Sequence, residues 1–161
     1  MPRDSGYGCP GQWETRGILS HGNMGVNQMG DIEMFEAGDL ALQSGETLHR
    51  AKLAYKTYGK LNADKNNVVV FPTFFGGQHT HNEGIIGEGR ALDPSKYFII
   101  VPNMFGNSVS SSPSNAARPD NAAGFPKTSL YDNVACQHRL VTEVFGIEKI
   151  ASGEQAGSWG T

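Results

Sequence analysis

Apolar and polar residues alternate from Met34 to Leu42 closely enough for a strand, and Gln43-Ser44-Gly45-Glu46 has the composition of a turn. Thr47 to Tyr58 follows as a second strand, with Leu48, Ala51, Leu53, Tyr55 and Tyr58 set among polar residues. Together they predict an antiparallel hairpin over residues 33–58. After a polar connection, Asn67-Val68-Val69-Val70-Phe71 is a continuous apolar run that stops at Pro72, the pattern of a strand covered on both faces. Tyr97-Phe98-Ile99-Ile100-Val101-Pro102 repeats it, and Ile85 to Leu92 between the two predicts a short helix or turn. Residues 103–127 form a long loop of Asn, Ser, Pro, Ala and Gly, a candidate substrate-facing segment. A helix is expected over residues 129–145: Ser129 and Asp132 can cap it, Leu130, Val134, Val141 and Val144 or Phe145 recur at helical spacing, and Gly146 can end it. Ile147 to Ala151 then reads as the start of another short strand. This order predicts an α/β class, in which an antiparallel hairpin leads into a largely parallel sheet.

Composition narrows the function classes. The chain has 161 residues, a formal net charge of −3, 38% hydrophobic and 18% charged residues and 21 glycines, a loop-rich globular profile that fits one domain. Its 13 Lys and Arg form no basic run, so nucleic acid is not an expected partner. No segment has the apolar length of a signal peptide or of a membrane span, and the expectation is a protein of the cytoplasm with no membrane partner. Residues 1–30, rich in Gly, Asn and Ser, read as a flexible leader. Cys9 and Cys136 lie far apart without a CxxC motif and read as passive thiols.

Several residue groups could carry chemistry. A glycine-rich loop, Thr73-Phe74-Phe75-Gly76-Gly77, leaves the first apolar strand; on spacing alone it is also what a plain turn would look like. His79-Thr80-His81 lies in the segment leaving that loop, and without a third ligand at a recognisable spacing no metal is expected there. Asp132 and His138 share the expected helix but are rotated about 120° apart, so they read as a capping aspartate and a half-buried histidine rather than a dyad. Gly84, Gly87 and Gly89 lack the dinucleotide fingerprint and read as turn residues. Ala156-Gly157-Ser158-Trp159-Gly160 has the form Ala-x-Ser-x-Gly, yet the preceding Ser152-Gly153-Glu154-Gln155 is a poor buried strand, and neither a helix nor an Asp or His follows. Ser158 is therefore not expected to act as a nucleophile, and no catalytic residue is assigned.

Leu53-Ala54-Tyr55-Lys56-Thr57-Tyr58-Gly59-Lys60-Leu61-Asn62 resembles the LAYxTYGxLN segment of homoserine O-acetyltransferases and their hydrolase relatives, in the α/β-hydrolase superfamily. The resemblance continues through residues 86–100, Pro102-Asn103-Met104-Phe105-Gly106-Asn107, Ser110-Ser111-Ser112-Pro113-Ser114-Asn115 and residues 131–141. It implies an incomplete α/β-hydrolase fold over residues 31–151, the N-terminal part of that domain, with residues 152–161 as a divergent tail. It also implies ping-pong acyl transfer from acyl-CoA to a hydroxyl acceptor through a Ser-His-Asp triad, or ester hydrolysis where water replaces the acceptor. On this reading acyl-CoA is a substrate, the partner is a small molecule, homo-oligomers belong to the parent family, and no cofactor or metal is required. The resemblance places Phe74, Phe75 and Gly76 in the loop that gives one oxyanion-hole N–H, with Phe74 the foremost donor. In the family pattern the nucleophile elbow, acid and base come later. The expectation is thus a truncated homoserine O-acetyltransferase-like chain that catalyses nothing alone, or a non-catalytic partner of a full-length homologue. Ser108 and Ser110 to Ser112 are expected to shape the floor of the site.

Overall fold

Two-residue alternation builds the first half of the sheet. The computed structural model describes residues 32–148 and 150. The expected leader over residues 1–30, the tail with Ser158, and Cys9 lie outside the described residues. Strand β1 (Glu33–Ala41) turns at Gly45 into β2 (Thr47–Tyr58), with Glu33 opposite Tyr55 and Ala41 opposite Thr47. The register shifts on either side of Gly38, whose φ of +71° is a conformation that glycine adopts without strain. Strands β3 (Val68–Val70) and β4 (Phe98–Pro102) pair in parallel, Val68 facing Phe98 and Val70 facing Ile100. Strand β4 also pairs antiparallel with the end of β2, giving a mixed sheet of order β1-β2-β4-β3.

The continuous apolar runs have the expected reason: β3 and β4 are covered on both sides. Val68, Val70, Phe98 and Ile100 pack with Leu53, Cys136, Leu140 and Val141 on the face below helix α2 (Leu130–Arg139). Val69, Phe71, Ile99 and Val101 pack with Ile86 and Leu92 on the other face. That second face is covered by a four-residue helix, α1 (His79–Asn82), a 3-10 turn (Glu83–Ile85) and a bridge between Ile86 and Leu92. His79 and His81 thus stand on a short helix, where the sequence suggested loop, and the element expected over residues 85–92 is displaced toward the N-terminus.

The end of the chain departs from expectation in three places. Helix α2 is followed by one wide π-type turn (Leu140–Val144), so the span matches but the last turn is not α-helical. Its buried face carries Asp132, Asn133, Cys136 and Gln137, whereas Leu130, Val134 and Val144 are exposed. Hydrogen bonds turn the helix this way: Asp132 Oδ1 accepts from Gln43 N at 2.7 Å and Asn133 Oδ1 from Phe105 N at 2.8 Å. His138 is consequently exposed rather than half-buried. Ile147 and Glu148 do not begin a strand, because the chain folds back at Gly146 and Ile147 N donates to Val141 O at 3.2 Å. Ile147 is buried in the main core all the same.

Candidate functional site

Strand β3 ends where Phe71 N and Thr73 N donate to Ile100 O (2.8 Å) and Pro102 O (3.0 Å), so the chain leaves the sheet already fixed against β4. Residues 74–77 then make a tight turn closed by Gly77 N donating to Phe74 O at 2.9 Å. Gly76 sits at its third position with φ +76°, which a side chain would strain. Gly77 serves a second need, since a Cβ there would lie 2.8 Å from the Phe74 ring. That ring meets His81 edge-on at 5.6 Å, while Phe75 is 83% exposed at the tip. Among the described residues, no acceptor faces the backbone N–H groups of Phe74, Phe75 and Gly76. Three adjacent N–H groups are thus left without an acceptor among the described residues, on a turn held at its base.

The turn is anchored by buried asparagines that the sequence reading did not single out. Asn103, fully buried at the end of β4, accepts from His79 N at 3.2 Å and donates to Ala54 O at 3.2 Å. Asn107 donates to Gly77 O at 3.1 Å and to Asn103 Oδ1 at 2.9 Å, and accepts from Val109 N and Ser110 N. Asn82 donates to Phe71 O and Pro72 O on the other side of the turn. The usable signal was two asparagines, four residues apart, just past an apolar strand.

Beside the turn lies an ion pair joined by a tyrosine hydroxyl that was also missed, although a lysine next to the apolar Leu53-Ala54-Tyr55 could have marked it. Lys56 is buried and bonds Glu83 Oε1 at 2.9 Å, and Tyr58 OH donates to the same oxygen at 3.0 Å. The Lys56 ammonium holds the Glu83 carboxyl below its ordinary value. Burial first, then the charge of Lys56, lowers the His79 imidazole, so at neutral pH the ring is uncharged. Among the described residues, the buried His79 Nδ1 and Thr73 Oγ1 have no hydrogen-bond partner.

The loop serines sit elsewhere. Ser111 Oγ accepts from Lys52 N at 2.9 Å, and Ser110 Oγ accepts from Ala54 N at 3.0 Å, so both occupy a stretch of the β2 edge that β4 leaves free. Ser112 Oγ donates to Ser110 O at 2.7 Å and receives Ser108 N. Ser110 and Ser111 line an open groove with Met34, His49, Arg50 and Lys52. Ser129 caps α2, its hydroxyl donating to Asp132 Oδ2 at 2.8 Å. Burial pushes the Cys136 thiol up to about 12, which keeps it protonated and inert. Among the described residues, no three His, Cys, Asp or Glu side chains are grouped as a metal site requires, and no helix is long and apolar enough to cross a membrane.

Comparison with known proteins adds what the geometry alone does not supply. No family model matches the chain. It is 46% identical over 123 residues to an ethyl acetate hydrolase of Pseudomonas veronii, covering 76% of this chain and 35% of that protein. It is 38% identical over 130 residues to a homoserine O-acetyltransferase of Chlorobium chlorochromatii, covering 72% of this chain and 36% of that one. The solved structure of the acetyl esterase MekB superimposes with a TM-score of 0.74 at 45% identity, over 78% of this chain and 36% of that chain. The chain thus spans about a third of the length of the relatives it matches, in their N-terminal part.

Proposed function

We propose, for a chain similar to the N-terminal part of ester hydrolases and homoserine O-acetyltransferases of the α/β-hydrolase fold, that residues 73–77 supply oxyanion donors for serine-dependent acyl chemistry on esters. The observation that carries this reading is the anchored turn with the unpaired N–H groups of Phe74, Phe75 and Gly76. In an acyl-transfer step, the carbonyl oxygen of the substrate gains negative charge as the tetrahedral intermediate forms. Fixed amide donors stabilise that charge without having to reorganise. Among the described residues no serine stands on a strand-to-helix elbow, so the nucleophile is assigned to none of them, and the chain alone is expected to show no turnover.

Higher identity to ester hydrolases than to acetyltransferases favours water as the acyl acceptor and acetyl esters as the substrate class. The second reading, transfer from acyl-CoA to homoserine, draws support from the 38% relative.

A hybrid tests both. The matching 123 residues of the Pseudomonas veronii hydrolase are replaced by those of this chain, and the hybrid is assayed on ethyl acetate with and without added homoserine. The expected outcome is hydrolysis to free acetate. It should fall about 100- to 1,000-fold with Phe74→Pro, which removes the leading donor. Phe75→Pro, which also removes an N–H but suits the second position of such a turn, should cost less, since the reading puts the Phe74 N–H foremost. Acetylhomoserine as the main product would instead establish the transferase reading. For the chain by itself, p-nitrophenyl acetate turnover above a blank that disappears with Ser158→Ala would overturn the assignment of a non-catalytic chain.

A further inference from the structure

We infer that Asn107, acting with Asn103, is a positioning residue that fixes the oxyanion turn at residues 74–77; as a catalytic statement this rests on the function proposed above. The turn has few restraints of its own. Gly76 and Gly77 make it pliant, its single internal bond is Gly77 N to Phe74 O, and the Phe75 side chain is 83% exposed. A pliant turn is a poor oxyanion hole, since donors that must be gathered at the moment of reaction lose much of their worth.

Asn107 supplies the missing restraint. Both hydrogens of its side-chain amide are used, one on Gly77 O and one on Asn103 Oδ1, and its oxygen accepts the N–H groups of Val109 and Ser110. All four hydrogen-bonding positions of a buried side chain are therefore filled. The orientation is dictated by the partners, because the reversed amide would set its oxygen against Gly77 O. Asn103 carries the restraint on to the sheet: its oxygen receives both Asn107 Nδ2 and His79 N, and its nitrogen donates to Ala54 O in β2. The turn is thus clamped just behind its tip, at Gly77 O and His79 N, by two side chains rooted in β4 and the loop that follows it. Thr73 N on Pro102 O holds the other end. With both ends held, the free amides of residues 74–76 keep one direction.

The test is amide hydrogen exchange and amide chemical shifts measured on the full 161-residue chain. Asn107→Asp keeps the acceptor for Val109 N and Ser110 N and replaces the two donated bonds by an oxygen set against Gly77 O and Asn103 Oδ1. The expected result is movement of the amide resonances of residues 74–77 and exchange at Gly77 faster by about tenfold, the loss of roughly one hydrogen bond. The Leu48 and Leu53 amides in the hairpin should keep their rates. Asn107→Ala, which introduces no buried charge, should give the same local pattern and guards against a variant that simply fails to fold. Unchanged resonances and rates at residues 74–77 in either folded variant would overturn the inference. So would equal acceleration throughout the sheet in both, which would mark Asn107 as a general structural residue. An inactive hybrid, with this local response intact, would sink the functional reading and leave the positioning of the turn established.

Discussion

The imidazole of His79 ties the site to acidity. Burial and the nearby Lys56 charge lower its folded value below the 6.5 of a free histidine, so below that pH the unfolded chain binds the proton more readily than the folded one. Stability should therefore fall as pH drops below about 6.5, until the folded value is reached. Urea midpoints at pH 7.5 and 5.5 should show the decline, and His79→Gln should flatten it. An unchanged slope in the variant would assign the pH dependence to other groups. Gly59, in the TYG segment, offers a second residue-level test. Its φ is +78°, and a Cβ there would sit 2.1 Å from Tyr97 O and 2.5 Å from Pro94 O. Gly38 shares the left-handed backbone, at φ +71°, but has open space around it. Gly59→Ala is expected to cost about 2–4 kcal/mol, against about 1–2 kcal/mol for Gly38→Ala, both read from denaturation midpoints. Equal costs would mean that backbone strain alone matters at these positions.

At the scale of elements, what the sequence revealed followed from how local each cause was. The hairpin and both apolar strands were legible because side-chain alternation, turn glycines and two-sided burial leave marks within a few residues. The face of α2 was not legible, because it depends on Asp132 reaching Gln43 and Asn133 reaching Phe105, partners 89 and 28 residues away. The site divides the same way. The glycines of the turn at residues 74–77 stand next to each other in the chain, while Asn103 and Asn107, which hold it, act across 24 to 49 residues. Strand β3 permits a direct test of its place in the sheet. Phe98 N donates to Asn67 O and Phe71 N to Ile100 O, so Asn67, Val69 and Phe71 turn their backbone groups toward β4. Val68 and Val70 turn theirs the other way. Hydrogen exchange should alternate accordingly, slow at Val69 and Phe71 and fast at Val68 and Val70. Uniform protection along the strand would show that its outer edge is paired.

Over the molecule as a whole, the two margins of the sheet differ in character. Strand β1 is interrupted by two register shifts at Gly38 and carries Glu33, Glu36 and Asp39, features that discourage a further strand from adding. Strand β3 is short, entirely apolar and straight in register, and among the described residues β4 is the one strand it pairs with. In the language of polymerisation, β1 is a capped end, and β3, none of whose residues is more than 8% exposed, is a shielded one. A unit with neither margin open offers nothing to which a further strand can add. Sedimentation over a range of concentrations should accordingly show monomer throughout, and a ladder of larger species would mean that one margin opens.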